Sequence, residues 1–247
     1  MMQSHQQQYL KEMGIGVWVD RDKKIVKVAE QLIVDNLKEK VEAKSVKKTS
    51  EKATSIPASF PEELAALKKE VSICTQCELH QTRTQTVFGV GNPQADWLVI
   101  GEAPGADEDR QGEPFVGRAG QLLNSMLLAI GLQREQVFIA NILKCRPPNN
   151  RDPKTEEVVA CESYLRQQIE LINPKIILAV GRIAAQNLLK VDTPIGKMRG
   201  NRYQYPDSEL PVIVTYHPAY LLRSPREKRK VWEDLKNAMQ LYKGLGT

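Results

Sequence analysis

Four short, almost uninterrupted apolar runs, at residues 97–100, 137–142, 176–180 and 212–215, constrain this 247-residue chain more than any other feature. A strand with one wetted face alternates apolar and polar residues. These runs do not, so each predicts a strand buried on both faces. The segments between them carry helical spacing. Leu64, Leu67 and Val71 share one face of a helix predicted over 62–73, and Leu122, Leu123, Met126, Leu127 and Ile130 share one over 118–130. Further helices are predicted over 155–172, with Thr155 as the cap, over 183–189 and over 224–242. Strand and helix in alternation give an α/β fold of three layers, α/β/α, around a central, mainly parallel four-stranded sheet. Such sheets collect ligands beyond the carboxyl ends of their strands, so the residues that follow each run are where chemistry is expected.

The chain has four cysteines, Cys74, Cys77, Cys145 and Cys161. A Cys-x-x-Cys pair with two distant thiols has the logic of a four-thiolate metal site that ties remote parts of a domain together. Two disulfides fit poorly, because the Gln-rich N-terminus lacks the apolar core of a secretory signal and disulfides are rare in a reducing cytosol. Four buried free thiols are the plain alternative, since cysteine packs well in cores. The spacing leaves zinc and an iron–sulfur cluster both open, although structural zinc more often uses two tight knuckles. No apolar run approaches the roughly 20 residues a bilayer requires, so a cytoplasmic protein is expected.

Composition is that of a globular chain, with 41% hydrophobic and 26% charged residues. The net charge of +5 divides into +3 over residues 1–60 and +2 over the remainder, which permits a polyanionic partner without announcing one. Residues 36–59 are dominated by Lys, Glu, Ser, Ala and Thr and contain no aromatic residue. They offer too little apolar surface to offset ordering entropy and predict a disordered charged linker, with a solvated helix through 39–48 as the alternative. Residues 1–35 form a short docking segment. Within it, residues 9–19 begin amphipathic, break at Gly14 and Gly16, and carry Trp18 near an apolar tip. A tether with an aromatic anchor suits partner capture; packing back onto its own domain is the alternative. Residues 9–19 are similar to the N-terminal segment of the psi subunit of bacterial DNA polymerase III, which implies a replisome contact with the clamp loader. Residues 60–247 form the folded domain.

The candidate site residues stand at the strand ends. After the first run comes Gly101-Glu102-Ala103-Pro104-Gly105, a tight loop whose backbone N–H groups can face a ligand, with Glu108 just beyond it. No Gly-Lys-Ser/Thr follows, so this is not a nucleotide P-loop. Phe115 lies in the Pro-Phe-Val-Gly stretch before Arg118, where an aromatic can be core or can stack on a base. Asn141 closes the second run; an amide offers donor and acceptor together and can read the edge of a pyrimidine, or it can merely bond its own turn. His217 follows the last run and precedes Pro218, which aims its ring at the same rim.

The ordered set Cys-x-x-Cys, GEAPG, GEPFVGRAGQLL, NILKCRPPNNRDP, a further cysteine and HPAYLLR closely resembles family 4 uracil-DNA glycosylases, which bear a [4Fe-4S] cluster. The resemblance spans about residues 60–245 and implies a monofunctional, monomeric hydrolase. It would excise uracil from single- and double-stranded DNA as the first step of base excision repair, leaving an abasic site in the nucleoid. Carried over position by position, Cys74, Cys77, Cys145 and Cys161 would hold the cluster, as a brace beside the site. Gly101, Glu102 and Ala103 would form the loop against uracil and the attacking water. Phe115 would stack on the flipped base, Asn141 would read it and His217 would contact O2. Leu221, Leu222 and Arg223 would form the wedge that enters the duplex, and Asn150 is a further DNA-facing candidate. The wider superfamily places an aspartate where this chain has Ala103, so the water-activating base is open between Glu102 and Glu108. A catalytically silent, DNA-binding or replisome-tethered adaptor with the same fold is the competing reading, and a zinc-stabilised nucleotide-binding domain the third.

Overall fold

The computed structural model describes residues 60–245, with side chains from residue 62 onward. The docking segment, residues 1–35, and the charged linker, residues 36–59, lie outside the described residues. Helix α1 (Phe60–Ser72) leads into a cysteine-bearing turn and the edge strand β1 (Val90–Gly91). Strand β2 (Trp97–Gly101), short helix α2 (Ala106–Gln111) and helix α3 (Arg118–Ala129) follow. Next come β3 (Phe138–Asn141), α4 (Thr155–Ile172), β4 (Ile176–Val180), α5 (Arg182–Leu189) and the single turn α6 (Ile195–Met198). The chain closes with β5 (Arg202–Gln204), β6 (Pro211–Thr215), α7 (Pro218–Arg223) and α8 (Lys228–Gly244).

The sheet has six strands in the order β1-β3-β2-β4-β6-β5. Its centre is the expected parallel quartet β3, β2, β4 and β6, and every residue of β2, β3 and β4 is buried. The added strands β1 and β5 pair antiparallel at the two edges. Two or three residues long and partly exposed, they carry no apolar signature, and only their hydrogen-bonding neighbours define them as strands. One apolar cluster on each face completes the three layers: Leu64, Leu67, Val71 and Leu165 on one side, Leu123, Met126, Leu127 and Leu235 on the other. Burying each such side chain contributes about 1.5–3 kcal/mol.

Two local expectations change. Thr155 is the first helical residue of α4 rather than its cap; the cap position is Lys154, whose N–H donates to the Glu157 carboxylate at 2.8 Å. The predicted closing helix over 224–242 begins later, at Lys228, because Pro225 opens a separate turn over residues 225–227. Among the described residues no helix is long and apolar enough to cross a membrane.

Register fixes the site. Gly101 of β2 lies beside Asn141 of β3, and Val180 of β4 beside Thr215 of β6. All four parallel strands therefore deliver their carboxyl ends to one rim.

Candidate active site

A cleft of about 460 Å³ opens at that rim, walled by the loops after β2, β3 and β6 and by Phe115. Glu102, Ala103, Phe115, Asn141, Asn150 and His217 all line it. Asn141 is 2% exposed, and its side-chain oxygen has no hydrogen-bond partner within the protein. Leaving such a group buried and unpaired costs roughly 1–3 kcal/mol, which a ligand donor would recover. Gly101 sits directly behind it: a Cβ there would lie 2.5 Å from Asn141 Oδ1 and 2.6 Å from Phe115 Cζ. The missing side chain is what lets the amide and the ring converge.

Phe115 is 7% exposed and has a left-handed backbone (φ 54°), an uncommon state for a bulky residue. Its ring stacks with the His217 imidazole at 5.6 Å between centroids and an interplanar angle of 30°. His217 caps α7, and its Nδ1 accepts the Ala219 N–H at 3.2 Å. Nδ1 thus acts as an acceptor, and the neutral ring carries its proton on Nε2. Burial, reinforced by the Arg223 charge, lowers the His217 pKa to about 4, so the imidazole is neutral at physiological pH. A neutral imidazole with one fixed donor, a flat aromatic wall and an unpaired amide can together hold a planar heterocycle and stabilise negative charge forming on it.

The two candidate carboxylates differ in kind. Glu108 is a brace. Its Oε1 accepts the N–H groups of Val116 and Gly117 at 3.0 and 3.2 Å, and its Oε2 accepts that of Gly105 at 3.2 Å. With both oxygens engaged by backbone, it is not the free base that its place in the sequence allowed. Glu102 also lines the cleft, and burial raises its pKa to about 7, with Asp152 adding to the rise and Arg182 opposing it. Asn150 is exposed and accepts from Arg146 Nε at 2.8 Å. The proposed wedge needs one correction. Leu221 is 1% exposed, because the helical turn of α7 points it into the core, whereas Leu222 (38% exposed) and Arg223 face outward.

The four cysteines line one small cavity between α1, α4 and the loop after β3. Cys145 and Cys161 are buried, Cys74 and Cys77 half-buried. Among the described residues, no three His, Cys, Asp or Glu side chains are arranged to hold a single metal ion. Burial pushes the Cys161 thiol up to about 11 and raises those of Cys77 and Cys145. Cationic groups crowd the cavity: Arg83 donates to Cys145 Sγ at 3.1 Å, and Lys144, 1% exposed, lies beside Cys145 and Cys161. Lys144 Nζ also donates to the Asn141 carbonyl at 2.8 Å and to Gln168 Oε1 at 2.6 Å. Buried Lys144 thus links the thiol cavity to the backbone of Asn141, whose side chain lines the cleft. Sequence reasoning missed Lys144, Arg83, Asp152 and Arg182, because isolated charges carry no periodicity and only the fold assembles them.

A family model described as the uracil DNA glycosylase superfamily matches residues 88–236. The type-4 uracil-DNA glycosylase of Archaeoglobus fulgidus is 47% identical over 186 residues, covering 73% of this chain and 94% of that protein. The type-4 enzyme of Thermotoga maritima is 45% identical over 189 residues, covering 75% of this chain and 98% of the relative. That of Sulfurisphaera tokodaii is 45% identical over 185 residues, covering 72% and 84%.

Proposed function

Because this chain belongs to the uracil DNA glycosylase superfamily, in its type-4 branch, we propose that its cleft takes a flipped-out uracil and hydrolyses the bond to its deoxyribose. The observation that carries this reading is the buried, unpaired Asn141 oxygen facing a cleft shared with Phe115 and His217. Uracil N3–H is a donor for that oxygen. Cytosine presents a lone pair at N3 and would leave the oxygen unpaired, which explains its rejection. The flipped base pays for unstacking, a few kcal/mol, by sliding against Phe115.

As the bond from N1 to the sugar lengthens, its electron pair moves onto uracil N1 and O2 and the sugar becomes oxocarbenium-like. His217 Nε2–H is a donor already in place for that charge, and with Nδ1 engaged by the Ala219 N–H the ring needs no reorganisation. Water then adds to the sugar carbon and gives up its proton. Glu102 is the group we assign to orient that water and take the proton, since Glu108 is held by three backbone N–H groups. Arg223, which lines the cleft, and the exposed Leu222 next to it are assigned to occupy the space the base leaves.

Uracil release from single- and double-stranded uracil-containing DNA tests the whole reading; retention of DNA with no free uracil would replace it with the silent adaptor. The parental kcat is expected to rise with pH through an apparent pKa near 7 as Glu102 ionises. Glu102→Gln should flatten that limb and lower kcat by about 10²-fold. Stability moves the other way. The folded state binds this proton more tightly than the unfolded chain, so Glu102 weakens the fold as pH rises from 4.5 to about 7.

Cys74, Cys77, Cys145 and Cys161 are proposed to hold a [4Fe-4S] cluster. Four thiols around one cavity, with Arg83 and Lys144 alongside to balance the negative charge of a thiolate-ligated cluster, fit that group. When bound, it would supply structure, tying the segment after α1 and α4 to the loop that follows Asn141. The purified protein should be brown with about four irons per chain. Cys161→Ala should remove the visible absorbance and lower Tm, and a colourless protein holding one zinc would refute the assignment.

A further inference from the structure

Phe115 poses a physical problem. A left-handed backbone at a bulky residue costs on the order of 1–3 kcal/mol and persists only where the surroundings over-determine it. Its neighbours show how this is done. On the N–H side, Glu108 holds Val116 and Gly117, the two residues that follow. On the carbonyl side stands Arg134, from the turn before β3. Its NH2 donates to the Pro114 carbonyl at 2.5 Å, and its NH1 to the Phe115 carbonyl at 3.3 Å and to Asn124 Oδ1 at 3.3 Å. Helix α3 closes the third side: a Cβ on Gly120 would lie 1.7 Å from the Phe115 carbonyl oxygen.

We propose that Arg134 is a positioning residue for base selection: with Glu108 it clamps the 114–117 turn from opposite sides and fixes Phe115 as the wall of the cleft. This inference rests on the uracil-excision reading. A guanidinium suits the role, because its fork spans two consecutive carbonyls, which a lysine ammonium on one point cannot do. Burial of the guanidinium lowers its pKa but leaves it charged, and its hydrogen bonds run to neutral oxygens on the loop and on α3 rather than to a carboxylate. Its bonds therefore go into backbone geometry. Arg134 does not line the cleft, so it acts on the base only through Phe115. A freed turn would relax Phe115 toward an ordinary backbone and swing its ring off the base.

The test compares parental protein, Arg134→Lys and Arg134→Met on uracil-containing and uracil-free DNA, with inhibition by free uracil as a second readout. Arg134→Met is expected to lower kcat and weaken free-uracil inhibition, each by about 10- to 100-fold, the range a misplacement of about 1 Å produces. Affinity for uracil-free DNA should stay at the parental level. Arg134→Lys should recover part of the loss, since it keeps one of the donors. If parental protein releases uracil and both variants match it in rate and in inhibition, the clamp is refuted. It is equally refuted if DNA affinity falls in parallel with kcat, since that marks general loosening of the fold. Should Arg134→Met not fold, Arg134→Lys alone decides by the same two readouts. If the parental protein releases no uracil, the functional reading fails instead.

Discussion

His217→Ala is expected to lower the single-turnover rate of uracil release by about 10²–10³-fold, the usual effect of deleting one preorganised donor to a developing anion. Affinity for uracil-free DNA should hold, since His217 faces the cleft rather than the outer surface. The tautomer is what makes His217 a ready donor. The Ala219 N–H occupies Nδ1, so the proton sits on Nε2 and the ring does not have to rotate to donate. A cation would bind the anion more strongly, yet burial and Arg223 hold the pKa near 4. The rate between pH 5 and 8 should therefore show no limb from His217, and any acid limb should belong to Glu102. Stability does carry the histidine's signature. As pH falls from 6.5 toward 4 the unfolded chain takes up this proton first, so the contribution of His217 to stability declines across that window, against the opposite contribution of Glu102. The stability difference between parental protein and His217→Ala should therefore shift in favour of the variant as pH falls from 6.5 to 4. A variant that kept the parental rate would remove His217 from the mechanism.

Gly101→Ala is expected to be nearly as damaging, although it deletes no functional group. The new methyl would fall 2.5 Å from Asn141 Oδ1 and 2.6 Å from Phe115 Cζ, well inside van der Waals contact. Neither neighbour has room: Asn141 is 2% exposed, and the Phe115 turn is clamped on both sides. One or both must shift by enough to spoil the pairing edge and the stacking wall. A loss of about 10²-fold in kcat/KM is expected, with DNA affinity retained. Tm should fall modestly, because β2 keeps its ladder to β3 and β4. The discriminating measurement is inhibition by free uracil, which should weaken in step with activity. Parental inhibition alongside lost activity would mean that Gly101 serves the attacking water rather than the base.

Much of this was legible in the chain. The parallel quartet was readable because strands buried on both faces must be apolar throughout, and that pattern needs no knowledge of the neighbours. The strand-end rule then singled out Glu102, Asn141 and His217, which do converge on one cleft, and Gly101, which sits behind Asn141 and Phe115. Thr155 misled because its residue type favours a cap, whereas Glu157 captures the Lys154 N–H and draws the helix start one residue back. Leu221 misled for a related reason. Three consecutive residues of a helix cannot all face outward, and α7 turns that one inward.

What the sequence determined by itself was therefore whatever follows from local periodicity and residue chemistry: the parallel strands, the rim and the residue types delivered to it. Tertiary structure alone decided the state of those residues. Glu102 and Glu108 are six positions apart and chemically identical, yet one is desolvated in the cleft with its pKa near 7 and the other is tied by three backbone N–H groups. Lys144 and Arg134 gain their roles only where distant segments meet. Protonation and orientation depend on solvent exclusion and on partners far along the chain, and no local pattern encodes either.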